Sequence, residues 1–456
     1  MDVAVTAGAD LGRYGRRIMK LLWDPEPTND IIANQPVWCL GRSYSLETNR
    51  GGDKGPFQID GPSKLPTTKS ANAEPVASQL LISNSDTSID CALDRSGSSL
   101  AYEEEGPELG GWPAAFLEDF ESRFWMTYRS GFENIPRSTD PKSTAAWSFT
   151  MRLKSLGDQS GFSSDSGWGC MIRSGQSLLA NSLSMWKLGR DWRSSDGGPG
   201  EREIISMFAD DPRAPFSIHR FVDHGASACG KYPGEWFGPS ATARCIQALA
   251  NSYPGSLRVY TTGDFPDVYE DGFLKVARTG PDGAFHPTLI LVGTRLGVDK
   301  TNTVYWEALT SALQMPQSVG IAGGRPSSSH YFVGSQRSAD DQGSYLFYLD
   351  PHHTRDALAY HADPTDYTQE ELSSCHTKRL RRLHIREMDP SMLIGFLIKD
   401  EDDWDSWKSS IKHVQGRAIV TVSNYDSGGD LAFGREGAID EVETLSDDDM
   451  DTALAL

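Results

Sequence analysis

The chain has 456 residues and a mass of 50.1 kDa, enough for two or three average domains or one large domain with insertions. Its formal charge of −20 argues against nucleic acid, which draws on concentrated lysine and arginine, and against docking on an anionic membrane by charge alone. Six cysteines (Cys39, Cys91, Cys170, Cys229, Cys245 and Cys375) form no CxxC pair and no zinc spacing, and so few thiols in so long a chain point to a reducing compartment.

Residues 10–23 place Leu11, Tyr14, Ile18, Leu21 and Leu22 on one helical face with Arg and Lys between them. The expected N-terminal arm, residues 1–35, therefore carries an amphipathic helix that packs on the protein or lies on a membrane surface. It lacks the continuous apolar core of a signal peptide, and no run in the chain approaches the roughly 20 apolar residues of a membrane span. PVWCLGRSYS, residues 36–45, reads as an apolar strand and turn. From 46 to 111 the composition shifts to Gly, Ser, Pro, Asn and Asp. Such a segment buries too little apolar surface to offset the entropy of ordering, and a disordered insert is expected. In AAFLEDFESRFWMTYRSGF, residues 114–132, aromatic and apolar residues recur at helical spacing. A loop at 137–147 leads to a strand candidate, WSFTMRL, and then to SDSGWGCMIRSGQSLLANSL, residues 164–183. Beyond Cys170, Ile172, Leu178, Leu179, Leu183, Trp186 and Leu188 mark a long buried helix that stops at Gly189.

The second half is β-rich. TLILVGTRLG (288–297), HYFVGSQ (330–336), SYLFYLDPHH (344–353) and MLIGFLIKD (392–400) are apolar runs, and DDWDSWKSSIKHV (402–414) is amphipathic. The last residues, 426–456, are acidic and lack a core pattern, as a flexible tail would. A buried helix followed by an antiparallel sheet describes an α+β enzyme of papain-like type, with a catalytic domain over 36–45 and 112–425.

Chemistry is concentrated at GWGC. Gly167 and Gly169 permit a sharp turn and a close backbone approach just before the helix. Cys170 then falls at the helix N-terminus, where free N–H groups and the macrodipole favour a thiolate and offer donors to an oxyanion. The competing reading is a buried structural cysteine, and the local pattern leaves both open. A thiolate needs a base, and the base an orienting acid. Two pairings are available: His330 with Asp350 from neighbouring strands, or Asp350 with His352, which share a face at i and i+2 of an extended run. Spacing does not choose between them. His353 faces the other way.

In order along the chain, PVWCLGRSY, FWMTYRSGF, SDSGWGCMIRSGQSLLA, LGRDWR, GEWFGPS, MPQSVGIAGGRPSSSHYFVG, LFYLDPHHT and MDPSMLIGFLIKDEDDWDSW resemble the autophagin family, the autophagy-related protein 4 cysteine peptidases, in their fungal form. The resemblance implies a papain-like fold with a small auxiliary domain and no cofactor. It implies that Cys170 is the nucleophile, His352 the base, Asp350 the orienting acid, and that Tyr128 lies near the oxyanion, with His330 structural. It further implies that Trp236 and the loop Gly323, Gly324, Arg325 and Pro326 cover the cleft and select a substrate glycine. The implied substrate is a ubiquitin-like autophagy modifier, autophagy-related protein 8, cleaved after its glycine or released from phosphatidylethanolamine. A monomer is expected, in the cytoplasm with access to the nucleus, recruited through its substrate to autophagosomal membranes. Two rival readings are a metallohydrolase built on Asp350, His352, His353 and His376, and a non-catalytic binding protein of the same fold.

Overall fold

Apolar runs that alternate between two cores organise the fold. In strand β7 (Thr288–Arg295), Leu289 and Leu291 join one buried cluster while Ile290 and Val292 join the other. In β13 (Ser391–Ile398), Leu393 and Leu397 oppose Met392, Ile394, Phe396 and Ile398 in the same way. A sheet covered on both faces needs such uninterrupted apolar strands. The computed structural model describes residues 26–29, 35–45, 110–140, 143 and 161–425, apart from 264, 281, 326, 327 and 341. The predicted N-terminal helix, nearly all of the insert, the strand candidate at 147–153 and the acidic tail lie outside these residues.

The remaining strands are β1 (Val37–Cys39), β2 (Arg42–Tyr44), β3 (Arg129–Ile135), β4 (Phe162–Ser164), β5 (Arg258–Thr261), β6 (Asp267–Tyr269), β8 (Ser318–Arg325), β9 (Ser328–Arg337), β10 (Ser344–Leu349), β11 (Arg355–Asp356), β12 (Arg382–His384) and β14 (Thr421–Ser423). The main sheet runs β12-β10-β9-β8-β13-β7-β5, with the β1–β2 hairpin added through β1 on β9. Its pairings are antiparallel except β5 with β7. Helix α2 (Cys170–Lys187) packs on β8 and β9 from one face, beside α3 (Pro239–Ser252). Helices α4 (Trp306–Gln314) and α5 (Glu401–Lys412) cover the other face. The result is the α+β, papain-like arrangement expected, with the cysteine helix laid against an antiparallel sheet. Among the described residues no helix is long and apolar enough to cross a membrane.

The helical spacing at 114–132 is corrected. Helix α1 spans only Ala114–Glu121, and β3 begins at Arg129. The chain between them is held by side chains instead of a helical ladder. Asn181 bonds both the N–H and the carbonyl of Phe124 at 3.0 Å, and Ser177 accepts the Met126 N–H at 2.9 Å. Buried Asp119 binds Arg123, Arg190 and Arg193 and anchors the point where α1 ends. Tertiary partners thus override a pattern that reads as helix.

Candidate active site

The turn before α2 is built from its own backbone. Gly167 has φ +95°, and the N–H groups of Trp168 and Gly169 both donate to the Asp165 carbonyl, at 3.2 and 2.9 Å. A Cβ on Gly169 would lie 2.6 Å from Asp165 Oδ2, so only glycine fits there. Trp168 is fully buried and donates its indole N–H to the Ser164 carbonyl at 3.1 Å. Cys170 follows as the first residue of α2, buried, with its thiol at the helix end.

Across the sheet, β10 ends at Leu349 and the chain turns through Asp350, Pro351 and His352. The i and i+2 pairing is realised by this turn, not by an extended strand as expected. Asp350 Oδ1 accepts both the His352 backbone N–H at 3.1 Å and the ring Nδ1–H at 2.6 Å. The ring is thereby fixed through Nδ1, and Cys170 and His352 lie close enough for each to stabilise the other's charged form. Trp125 donates its indole N–H to the Asp350 carbonyl at 2.7 Å, and Tyr128 donates its backbone N–H to Pro351 at 2.9 Å. The Tyr128 ring stands edge-on to His352 with centroids 5.4 Å apart, and its hydroxyl is close enough to Cys170 for the thiol's charge to act on it.

The electrostatics favour an ion pair. Burial pushes the Cys170 thiol up, but hydrogen bonding and charge from His352, with smaller help from the Ser329 backbone and Tyr128, bring it below the ordinary thiol value. Burial likewise opposes the charged imidazole, yet the hydrogen bonds to Asp350 and Cys170 lift His352 to about 10. Burial alone would raise Asp350, but the His352 hydrogen bond and the charges of His330 and His352 hold it well below the usual carboxylate range. Burial and the nearby Cys170 push the Tyr128 hydroxyl up, so it remains a donor. A thiol whose ionisation is favoured beside a charged imidazole, with a phenol donor alongside, is equipped for nucleophilic attack on a carbonyl.

The other candidates separate. His330 is buried, with Nδ1 2.9 Å from the Ser328 carbonyl and Nε2 3.7 Å from Asp350 Oδ1. It faces the acid and not the thiol. His353 stands edge-on to Trp125 with Nε2 3.2 Å from Arg379, and His376 pairs with Glu201 at 3.1 Å. Both are therefore removed from the metal set that had them beside Asp350. His330, Asp350 and His352 do place one ligand atom each within 4.8 Å, although the atoms of Asp350 and His352 that face each other are already bonded together.

Gly323, Gly324 and Arg325 do not form a free loop. They end β8, opposite His330, Ser329 and Ser328 of β9, while Pro326 lies outside the described residues. This hairpin carries Ser328 to the site, with Oγ 3.2 Å from His352 Nε2. Trp236 closes a turn that the Tyr232 N–H bond to Glu235 makes, and its indole N–H is buried with no hydrogen-bond partner among the described residues. Sequence reasoning missed Trp125, Asp165, Ser328 and Ser329. Only Asp165, a turn-former ahead of two glycines, had a local signal.

A family model described as the peptidase C54 catalytic domain matches residues 113–410. Curated relatives are similar over almost their full lengths. "Cysteine protease ATG4" of Pyricularia oryzae is 61% identical over 100% of both chains, and "Probable cysteine protease ATG4" of Cryphonectria parasitica is 61% identical over 98% of this chain and 96% of its own. "Cysteine protease 1" of Neurospora crassa is 57% identical over 100% of this chain and 94% of its own. A solved structure of UfSP from C. elegans aligns with 52% of this chain and 31% of its own at 13% identity and a TM-score of 0.27, too slight a likeness to bear on the fold.

Proposed function

The chain belongs to the peptidase C54 family of cysteine peptidases, and from that premise we propose that it processes the ubiquitin-like modifier autophagy-related protein 8. It cleaves the C-terminal extension to expose the modifier's glycine, and it releases the modifier from phosphatidylethanolamine. The observation that carries this reading is an imidazole bonded to Asp350 at 2.6 Å beside the buried Cys170 that opens helix α2.

The Cys170 thiolate attacks the glycine carbonyl, and the electron pair moves to the carbonyl oxygen. The Tyr128 hydroxyl and the free N–H groups at the start of α2 receive that oxyanion. As the tetrahedral adduct collapses, His352 gives its Nε2 proton to the departing amine, leaving an acyl-enzyme. Water then attacks, with His352 as base and Asp350 holding the ring, and the thiolate returns. The amine is a peptide in maturation and the phosphatidylethanolamine headgroup in delipidation, so one site recognising the acyl side serves both. In this reading Trp236 and the strand ends at Gly324 and Ser328 flank the acyl side and select glycine by excluding a Cβ. Because Ser328 Oγ lies 3.2 Å from His352 Nε2, productive binding shifts Ser328 and leaves Nε2 to the thiol. The enzyme works as a monomer in the cytoplasm, meeting membranes through its lipidated substrate.

The test is to offer the purified protein the modifier with a C-terminal extension, with and without a thiol alkylator and a chelator. Alkylator-sensitive, chelator-insensitive cleavage at the glycine supports the reading. Cleavage abolished by chelator alone, or full activity in Cys170→Ala, overturns it in favour of a metal hydrolase.

A further inference from the structure

Two consecutive backbone N–H groups tie together the two halves of the site. Tyr128 donates to the Pro351 carbonyl, between the acid and the base, at 2.9 Å. Arg129, the next residue, donates to Asp165 Oδ1, beside the cysteine turn, at 2.6 Å. Successive N–H groups of an extended chain point in opposite directions, so this one peptide step spans from the base-bearing turn to the nucleophile-bearing turn. Asp165 completes the clamp on the cysteine side. Its carbonyl accepts the N–H groups of Trp168 and Gly169, and its Oδ2 accepts Nε of Arg173, one helical turn beyond Cys170, at 2.6 Å. Arg173 in turn reaches Asp210 Oδ1 at 2.8 Å, and Asp210 is bonded through its backbone N–H and Oδ2 to Leu358 at 2.9 Å. All three charged side chains are buried.

We infer that Asp165 is a positioning residue for the reaction, with Arg173 as its support. It holds the Cys170 thiol at the distance from His352 and Tyr128 that pairing and oxyanion binding require. The inference rests on the proposed thiol mechanism. Three features set Asp165 apart from an ordinary buried ion pair. It contacts no part of the Cys–His–Asp set. It bonds the backbone at the residue next to Tyr128. It also fills the space that the missing Cβ of Gly169 leaves, with Oδ2 2.6 Å from where that Cβ would be. The glycine before the cysteine and the aspartate five residues ahead of it are thus two halves of one fitted contact. Loss of the Asp165 charge leaves Arg173 facing an amide, and the turn shifts relative to β3, although Cys170, His352 and Asp350 are all still present.

The experiment compares Asp165→Asn, Arg173→Lys and a remote core control, Phe396→Leu, in the full chain. Unfolded protein is first removed by gel filtration, and activity is normalised to Cys170 titrated with an irreversible thiol reagent and located by peptide mapping. The pH dependence of Cys170 alkylation by iodoacetamide is recorded alongside. Expected for Asp165→Asn is a fall of at least about tenfold in kcat per titrated thiol with KM within about twofold, and an acid limb of the alkylation profile moved up by about one pH unit. Arg173→Lys moves both in the same direction by a smaller factor, and carries the test if Asp165→Asn does not fold. Phe396→Leu lowers the thermal midpoint and moves neither. If the Asp165 and Arg173 variants keep wild-type kcat per thiol and the wild-type alkylation profile while losing thermal stability, the inference is overturned. If wild-type protein alkylates rapidly at neutral pH but leaves the extended modifier intact, the substrate proposal fails, and the alkylation profiles still decide the role of Asp165.

Discussion

Replacing Asp350 by Asn removes a carboxylate 2.6 Å from His352 Nδ1 while keeping the size of the side chain and an oxygen for the ring N–H. A hydrogen bond to a charged partner contributes about 1.5–3 kcal/mol, and one pKa unit corresponds to about 1.36 kcal/mol. The imidazolium therefore loses roughly one to two units of its elevation. The sign follows from the direction of each shift. His352 is raised to about 10, so the imidazolium is fully present at neutral pH and is lost as pH rises through that value. In Asp350→Asn the loss moves down to about pH 8 to 9. The Cys170 thiol, held low mainly by His352, moves up as the imidazolium weakens, so the working window narrows from both ends. The same energy missing from the transition state lowers kcat/KM at pH 7 by roughly 10- to 150-fold. Alkylation of Cys170 by iodoacetamide between pH 5 and 10.5 reads the window without needing the protein substrate, and peptide release from the extended modifier reads the rate. An alkaline limb that stays near pH 10 with less than about threefold loss of kcat/KM would refute the account of Asp350.

Three other substitutions probe different contacts. Ser328→Ala frees His352 Nε2 from the hydroxyl 3.2 Å away, and with a neutral hydrogen bond contributing about 0.5–1.5 kcal/mol, alkylation of Cys170 at neutral pH accelerates by roughly 2- to 10-fold. His352→Ala abolishes turnover, whereas His330→Ala, whose Nε2 lies 3.7 Å from the acid, retains it at a reduced rate under the same peptide-release assay; the reverse outcome reassigns the base. Burial alone would raise Asp119, yet Arg123, Arg190 and Arg193 outweigh it and hold the carboxyl low; its stabilising contribution is present above the unfolded carboxylate value of about 3.9 and is lost as pH falls below it. Thermal unfolding of the wild-type protein followed from pH 7 down to pH 3 should therefore show an acid limb that is shallower in Asp119→Asn.

The strands were legible because both faces of the sheet are buried, which writes uninterrupted apolar runs such as TLILVGTR and SMLIGFLI into the chain. The cysteine helix was legible through its glycines and its apolar stripe. The segment from Ser122 to Tyr128 was not, because its backbone is held by Ser177 and Asn181, more than fifty residues away, and no local pattern encodes such partners. For the site, residue spacing left His330 and His352 equally placed. The structure separates them by a turn at Asp350–His352 that directs one imidazole to the cysteine and leaves the other against the acid. Trp125 and Ser328 act through single contacts to Asp350 and His352, formed only once β3, β9 and β10 are in place, so nothing near them in the chain announces them.

The central claim is that one thiol–imidazole pair removes whatever amine is attached to the modifier's terminal glycine. Its most direct test is mass spectrometry of the modifier after incubation with wild-type protein or Cys170→Ala, starting from the C-terminally extended form and from the phosphatidylethanolamine conjugate in vesicles. The account predicts that wild-type protein yields the same product from both, ending in a free glycine carboxylate, and that Cys170→Ala yields it from neither. Release of the glycine-terminated modifier by Cys170→Ala, or cleavage at another residue by the wild type, would contradict it.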